Sequence, residues 1–222
     1  MIPWTLLATS SIPGDTGEMR LYQRGSEYSI RVDNWELMNN RVHGSEDALA
    51  TIVCDRLGQR PLRVLIGGLG MGFTLLAVLD RVTPDSAVVV SELVPAVVEW
   101  HRGPLAGVSR GALDDPRVTI EEVDVARIIR DSRAAFDAIL LDVDNGPVGF
   151  TAATNNQLYT PAGLRAAHRA LRPGGIFAVW SAAPNAAFTK RLREAGFDAE
   201  EVTARGHGKK GGRYLIWVAV RG

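Results

Sequence analysis

The chain has 222 residues, of which 46% are hydrophobic and 23% charged, as in one globular domain with a buried core, and this excludes a disordered or collagen-like protein. Its 25 lysines and arginines balance its 25 aspartates and glutamates, so a broad basic surface for nucleic acid is not expected. The one cysteine, Cys54, allows no internal disulfide and offers no zinc-binding cluster, and no apolar run approaches the length of a membrane span. We therefore expect a soluble, cytoplasmic protein without a metal, a membrane or a nucleic-acid partner.

Residues 1–44 are predicted to form a small antiparallel β meander. Turn residues such as Pro13-Gly14 separate short segments that are rich in β-forming side chains. These segments are Arg20–Gln23, Tyr28–Val32 and Trp35–Met38. Ser45 then predicts the N-cap of a helix with acids in its first turn, and Gly58 predicts its end.

Residues 45–222 are predicted to form the main domain, an α/β fold in which apolar strands alternate with amphipathic helices. Continuous apolar strands of this kind indicate a parallel sheet that is covered on both faces. The predicted strands are Leu62–Ile66, Ala87–Ser91, Arg117–Ile120, Ala138–Leu141, Ile176–Trp180, Ala199–Thr203 and Tyr214–Val220. The helices predicted between them are Phe73–Val82, Val94–Arg102, Val125–Asp131, Leu164–Leu171 and Ala186–Ala195. The last two strands are expected to be antiparallel, because only a loop separates them.

A glycine-rich turn follows the first strand of this domain. It reads Gly67-Gly68-Leu69-Gly70-Met71-Gly72 and opens a helix. Glycine permits backbone angles that a side chain resists, and it lets the main chain approach a ligand closely. The turn therefore predicts a nucleotide or nucleoside cradle, although a purely structural turn is the alternative.

Acidic residues follow the next three strands of the predicted sheet. Glu92 can accept hydrogen bonds from ribose hydroxyls, and Asp124 can reach an adenine amine or else cap the helix that begins at Val125. Asp142 follows the strand after that, with Asp144 and Asn145 beside it. Ligands of open α/β sheets bind beyond the carboxyl ends of the strands, which is where these side chains collect.

Two other kinds of nucleotide-binding site match the glycine-rich turn less well. No Lys-Ser or Lys-Thr follows the glycines, so the nucleoside-triphosphate loop is absent. A nicotinamide dehydrogenase remains an alternative, but the spacing is GxGxG rather than GxGxxG.

At these residues the chain resembles the spermidine synthase-like branch of the S-adenosylmethionine-dependent methyltransferase superfamily. The motifs that carry the resemblance are the meander, the glycine turn, Glu92-Leu93-Val94-Pro95, Asp115-Pro116-Arg117-Val118, Phe136-Asp137 leading to Asp142, Leu158-Tyr159 and Leu171-Arg172-Pro173-Gly174-Gly175. The resemblance implies a Rossmann-like methyltransferase fold with a mostly parallel seven-stranded sheet and an antiparallel last strand. It also implies a homodimer and a cofactor site formed by Gly67, Gly68, Gly70, Gly72, Glu92, Leu93, Asp124, Val125 and Asp142.

Three departures fall on positions that the resembled aminopropyltransferases use for their substrates. Their loop aspartate, which holds the ammonium of decarboxylated S-adenosylmethionine, aligns with Gly70, and the second aspartate of their DxxDP motif aligns with Asn145. An amide cannot take a proton from an attacking amine at neutral pH, whereas a carboxylate can. Their tyrosine-histidine-glutamate segment keeps only Glu46. We therefore expect S-adenosylmethionine as the cofactor and methyl transfer to an unidentified small molecule.

The predicted catalytic residues are Asp142 and Asp144, and Asp142 has a second possible role in binding the cofactor's ammonium group. The predicted acceptor-binding residues are His43, Glu46, Asn145 and Tyr159. The sequence leaves a structural alternative open for three of these residues. His43 can be exposed on the surface, Tyr159 can be a packing residue, and Asp144 can be a turn residue. The basic loop Arg205–Arg213 between the last two strands can bind an anion or be a solvated loop.

Two further functions stay open from the sequence. The first is a polyamine aminopropyltransferase that uses decarboxylated S-adenosylmethionine and takes Asp142 or Asp144 as its base. The second is a cofactor-binding scaffold without activity.

Overall fold

The computed structural model describes residues 2–14, 16–33, 35–143, 157–207 and 210–222 and contains two sheets. The strands are β1 (Thr5–Ser11), β2 (Glu18–Arg24), β3 (Glu27–Val32), β4 (Trp35–Asn39), β5 (Arg63–Gly67), β6 (Ala87–Ser91), β7 (Val118–Glu121), β8 (Phe136–Leu141), β9 (Leu171–Ser181), β10 (Phe197–His207) and β11 (Lys210–Arg221). The helices are α1 (Gly44–Leu57), α2 (Phe73–Leu79), α3 (Pro95–Arg102), α4 (Ala106–Ser109), α5 (Val125–Asp131), α6 (Pro161–Ala170) and α7 (Ala186–Glu194). None of the described helices is both long and apolar enough to cross a membrane.

The N-terminal sheet is an antiparallel meander in the order β1-β2-β3-β4. The three predicted segments lie within β2, β3 and β4, and β1 is a fourth strand that the pattern did not identify. Leu21 and Ile30 are paired across β2 and β3 and are fully buried, so this sheet has one face on the core. The residues of β1 are half-buried or exposed, which explains why their sequence carries no alternation.

The main sheet has seven strands in the order β10-β11-β9-β8-β5-β6-β7. Strands β5 to β9 run parallel, and β11 is antiparallel to both β9 and β10. This confirms the predicted α/β fold class with its antiparallel final strand. Every residue of β8 is buried, because helices cover both faces of the sheet at its centre. Cys54 is buried on α1, and burial raises the pKa of its thiol to about 11, in keeping with packing rather than reactivity.

Several predicted helix boundaries are wrong, and among them α2 ends at Leu79 rather than Val82 and α6 begins at Pro161 rather than Leu164. Ser45 is not the N-cap of α1, because His43 occupies that position and the Ser45 hydroxyl donates to the carboxylate of Glu46. The helix predicted to run to Leu171 ends at Ala170, since Leu171 pairs with Phe136 as the first residue of β9. Pairing between strands decided a boundary that helix periodicity alone could not.

The meander packs on the same hydrophobic core as one face of the main sheet. Its residues Leu21 and Ile30 belong to one buried cluster with Leu49 of α1, Leu75 of α2 and Val97 of α3. A second cluster fills the opposite face, under α5, α6 and α7. The meander therefore lies on the α1–α3 side of the sheet.

Asp137, near the amino end of β8, is a buried acid that forms ion pairs with two half-exposed arginines. Its side chain is 3% exposed and accepts hydrogen bonds from Arg60 at 2.8 Å and Arg172 at 2.7 Å. The backbone N–H of Arg63 also donates to it, at 2.8 Å. This group joins β5, β8 and β9 at the amino end of β8, away from the carboxyl ends where the acids of the predicted site lie.

Candidate functional site

The carboxyl ends of β5, β6 and β8 surround a cavity, which we name the Glu92 cavity. The predicted cofactor residues that line it are Gly68, Gly70, Glu92, Leu93, Asp124, Val125 and Asp142. Leu37 and Met38 of β4 also line it, so the N-terminal sheet contributes to its wall. Polar groups from four separate segments thus meet at the edge where the sequence predicted a site.

The glycine turn has the backbone conformation that its sequence predicts. Gly68, Gly70 and Gly72 have positive φ angles of +92°, +51° and +83°. A Cβ atom on Gly68 would lie 2.5 Å from the carbonyl oxygen of Asp142, so a side chain is excluded there. Gly67 has no such φ angle, but a Cβ there would lie 2.9 Å from the Leu141 side chain. Gly67 is thus a packing residue and Gly72 the N-cap of α2, and neither is among the residues that line the Glu92 cavity.

The carboxylate of Glu92 is held rigidly at the tip of β6. One oxygen accepts from the backbone N–H of Leu69 and the other from that of Val94, both at 2.9 Å. Burial raises the pKa of Glu92, and these backbone hydrogen bonds lower it. Each carboxylate oxygen has a further lone pair, so Glu92 can also accept hydrogen bonds from ligand hydroxyls.

Asp124 has the helix-capping role, one of the two that the sequence left open. Its side chain caps α5 by accepting from the backbone N–H of Ala126 at 2.8 Å. It also lines the Glu92 cavity, next to Val125. The capping bond fixes the carboxylate at the cavity wall.

A second cavity adjoins the first, and we name it the Glu46 cavity. Both cavities are lined by Leu37, Met38, Gly70 and Asp142. The Glu46 cavity adds one more acid, Glu46 of α1, and two aromatic side chains, Phe73 and Trp180. Asp142 and Gly70 therefore lie at the junction between the two cavities.

The electrostatics of the junction are dominated by its two acids. Burial and the negative charge of Glu46 raise the pKa of Asp142 to about 7, whereas a hydrogen bond from the Thr74 hydroxyl, at 2.7 Å, lowers it. Burial likewise raises the pKa of Glu46, against a hydrogen bond from Ser45. In the described part of the chain, no arginine, lysine or histidine forms an ion pair with either acid. Such a pair can bind a cation, or take up a proton near neutral pH.

The remaining predicted residues lie elsewhere. His43 lines a separate surface groove, where its ring stacks on Phe73 at 4.0 Å and its Nδ1 lies 2.8 Å from Asp47. Tyr159 is buried on the opposite face of the sheet and packs edge-on against Phe188. Asp144 and Asn145 lie outside the described residues, as do Gly208 and Lys209 of the basic loop.

Several residues at the site were missed by sequence reasoning, and four of them contact functional groups or line the Glu46 cavity. Thr74 bonds Asp142, Trp180 and Met38 line the Glu46 cavity, and His101 bonds the glycine turn. Trp180 follows Val179, which pairs with Leu141, so its position at a strand end was a usable signal. No local pattern marks the other three, because only packing between distant segments brings them to the site.

The sequence of the chain matches a known protein family. The family profile described as the spermine/spermidine synthase domain matches residues 48–191. The chain belongs to this family. Polyamine aminopropyltransferase 2 of Pseudomonas aeruginosa is 34% identical over 144 residues, which are 60% of this chain and 39% of that protein. Polyamine aminopropyltransferase 1 of Streptomyces coelicolor is 30% identical over 173 residues, 76% of this chain and 30% of that protein.

Solved structures of the spermidine synthase family share the fold. Spermidine synthase from Thermotoga maritima superimposes with a TM-score of 0.78 at 22% identity, over 98% of this chain and 73% of that one. The chain spans less than half the length of the curated relatives it matches, from 24% to 48% of each.

The prediction of methyl transfer is wrong. The family profile and the curated relatives are those of spermidine synthases and polyamine aminopropyltransferases, which was the alternative. That prediction rested on three departures from the aminopropyltransferase motifs, at Gly70, at Asn145 and in the segment before α1, and the family match overturns it. Glu46 was predicted as an acceptor-binding residue, but its position beside Asp142 depends on how α1 packs and was not predicted from the sequence.

Proposed function

We propose that the chain transfers an aminopropyl group from decarboxylated S-adenosylmethionine to an amine. The observation that supports this most strongly is the pair of acids, Glu46 and Asp142, in a cavity next to the Glu92 cavity. Both the donor and the acceptor of this reaction carry ammonium groups. Two carboxylates without a described cationic partner match such ligands in charge.

The donor's adenosyl group is proposed to occupy the Glu92 cavity. Glu92 accepts hydrogen bonds from the ribose hydroxyls, and Asp124 lies within the same wall for the adenine amine. Gly68 and Gly70 let the backbone approach the ligand without a side chain between them. This arrangement directs the sulfonium and its propyl chain toward the junction at Gly70 and Asp142.

The amine acceptor is proposed to occupy the Glu46 cavity. Its nitrogen lone pair attacks the carbon next to the sulfonium, a C–N bond forms, the C–S bond breaks, and the thioether leaves with both electrons of that bond. Asp142 takes the proton that the amine loses, because a base with a pKa near 7 is suited to proton transfer at neutral pH. Glu46 then carries the charge that holds the ammonium end of a substrate.

This proposal accounts for the glycine at position 70. The resembled enzymes have an acid at this position of the loop. In this chain the space beside Gly70 is occupied by Met38 of β4, whose sulfur lies 3.1 Å from the position of a Cβ on Gly70. The acids that we propose for substrate binding stand on α1 and at the end of β8 instead.

The test is turnover with a defined donor. The protein is incubated with decarboxylated S-adenosylmethionine and a panel of amines, and release of 5′-methylthioadenosine is measured by chromatography. We expect release that depends on the amine, a loss of at least about a hundredfold in kcat for Asp142→Asn, and wild-type rates for the exposed control Glu99→Gln. If no amine yields methylthioadenosine although the donor binds, the proposal is refuted.

The homodimer, the cytoplasmic location and the domain boundary between residues 44 and 45 stay predictions. The dimer is tested by light scattering during gel filtration, where a mass of twice 24.0 kDa is expected.

A further inference from the structure

His101 of α3 is a buried imidazole whose position the proposed mechanism does not explain. It is 3% exposed, and its Nε2 atom lies 2.9 Å from the carbonyl oxygen of Gly70. Because a carbonyl oxygen only accepts, Nε2 must carry the hydrogen and donate it. His101 thus donates a side-chain hydrogen bond to the backbone of the glycine turn.

The rest of the ring shows that packing alone does not account for a histidine here. Its Nδ1 atom is buried and has no hydrogen-bond partner among the residues that the structure describes, which is destabilising compared with an apolar side chain. Its Cε1 atom lies 3.2 Å from the position of a Cβ on Gly72, so the turn and the ring are in close contact. Burial lowers the pKa of His101, which keeps the ring neutral at pH 7.

The bonded residue, Gly70, lies at the junction of the two cavities. It has a φ of +51°, and Met38 lies on its other side, 3.1 Å from where a Cβ would be. Because glycine is conformationally free, this peptide has more than one accessible orientation unless it is held. The hydrogen bond from His101 selects the orientation in which the Gly70 carbonyl points to α3.

We infer that His101 is a positioning residue that fixes the Gly70 carbonyl and so shapes the wall shared by the Glu92 and Glu46 cavities. Through that wall it controls affinity for the adenosyl ligand without touching the reacting atoms. The inference rests on the proposed function only in taking an adenosyl thioether as the occupant of the Glu92 cavity.

Two amide variants separate the hydrogen bond from the bulk of the ring. The side-chain nitrogen of His101→Gln can reach the place of Nε2 and donate to Gly70, whereas that of His101→Asn reaches only the place of Nδ1. His168→Gln is the matched control, because this imidazole stands on α6 and packs against Phe197. The measurements are the Kd of 5′-methylthioadenosine by calorimetry, the donor KM and kcat, and the Tm.

We expect His101→Asn to weaken methylthioadenosine binding about tenfold, which corresponds to about 1.4 kcal/mol, and to raise the donor KM more than it lowers kcat. His101→Gln should stay within about threefold of the wild type, a rescue that a loss of ring packing would not produce. The control should bind as the wild type does. Wild-type affinity in His101→Asn, or equal losses in both amide variants, would overturn the inference.

This experiment also distinguishes the inference from the proposed function. Binding of methylthioadenosine that depends on His101, with no transfer to any amine, would refute the proposed function and leave the inference standing. Transfer to an amine, with no difference in methylthioadenosine binding between the amide variants, would overturn the inference and leave the proposed function standing. No detectable binding to the wild type would overturn the inference.

Discussion

Replacing Thr74 by valine should shift the pH dependence of the reaction to higher pH. The Thr74 hydroxyl donates to Asp142 at 2.7 Å and is the described group that lowers the pKa of this carboxyl. A hydrogen bond to a charged group is worth about 1.5–3 kcal/mol, and one pKa unit equals about 1.4 kcal/mol. The pKa of Asp142, about 7 in the wild type, should therefore rise by about 1–2 units.

The direction of the effect follows from the role of Asp142 as a base. Below its pKa the carboxyl is protonated and cannot accept a proton, so kcat/KM should fall as the pH drops through about 7. In Thr74→Val the same fall should begin at higher pH. Valine keeps the shape of threonine, so the fold should be retained.

The assay is the pH profile of kcat/KM, followed by methylthioadenosine release. Glu46→Gln should have the opposite effect on the pH profile. Removing the negative charge of Glu46 should lower the pKa of Asp142 and so move the profile to lower pH. The effect of Glu46 exceeds that of Thr74, so its shift should be the larger one. Profiles that move in the same direction in both variants, or in neither, would refute the assignment of Asp142 as the base.

Three further substitutions test other parts of the structure. Glu92→Ala removes the proposed acceptor of the ribose hydroxyls and leaves the backbone N–H groups of Leu69 and Val94 unpaired, so the Kd of methylthioadenosine should rise about a hundredfold by calorimetry. Unchanged binding would show that the Glu92 cavity is not the adenosyl site. Gly68→Ala places a Cβ 2.5 Å from a carbonyl oxygen and should lower the free energy of unfolding in urea by about 3 kcal/mol. Gly107→Ala should not, because the added Cβ would meet no other described segment within 4 Å. Asp137→Asn weakens the hydrogen bonds of a buried carboxylate to two half-exposed arginines and should lower the free energy of unfolding by about 1.5–3 kcal/mol. The methylthioadenosine affinity per folded molecule should be unchanged, and a loss of affinity would contradict a purely structural role for Asp137.

The parts of the site that lie close together in sequence were predictable. Positive φ angles at Gly68, Gly70 and Gly72 follow from the glycines themselves, and Glu92 follows from its place at the end of an apolar strand. Parallel strands bring their carboxyl ends to one edge, so the order of strands and helices was enough to bring these groups together.

The contacts between distant segments were decided only by the tertiary structure. Met38, Glu46 and His101 come from a meander strand and two helices, and each reaches the glycine turn or its cavities because the meander, α1 and α3 pack on one face of the sheet. Helix and strand periodicity identifies the buried face of an element but not the element that it meets. The sequence by itself therefore determined the fold class and the cradle at the strand ends. The pairing of Glu46 with Asp142, and with it the charge of the acceptor cavity, depended on how the helices are packed.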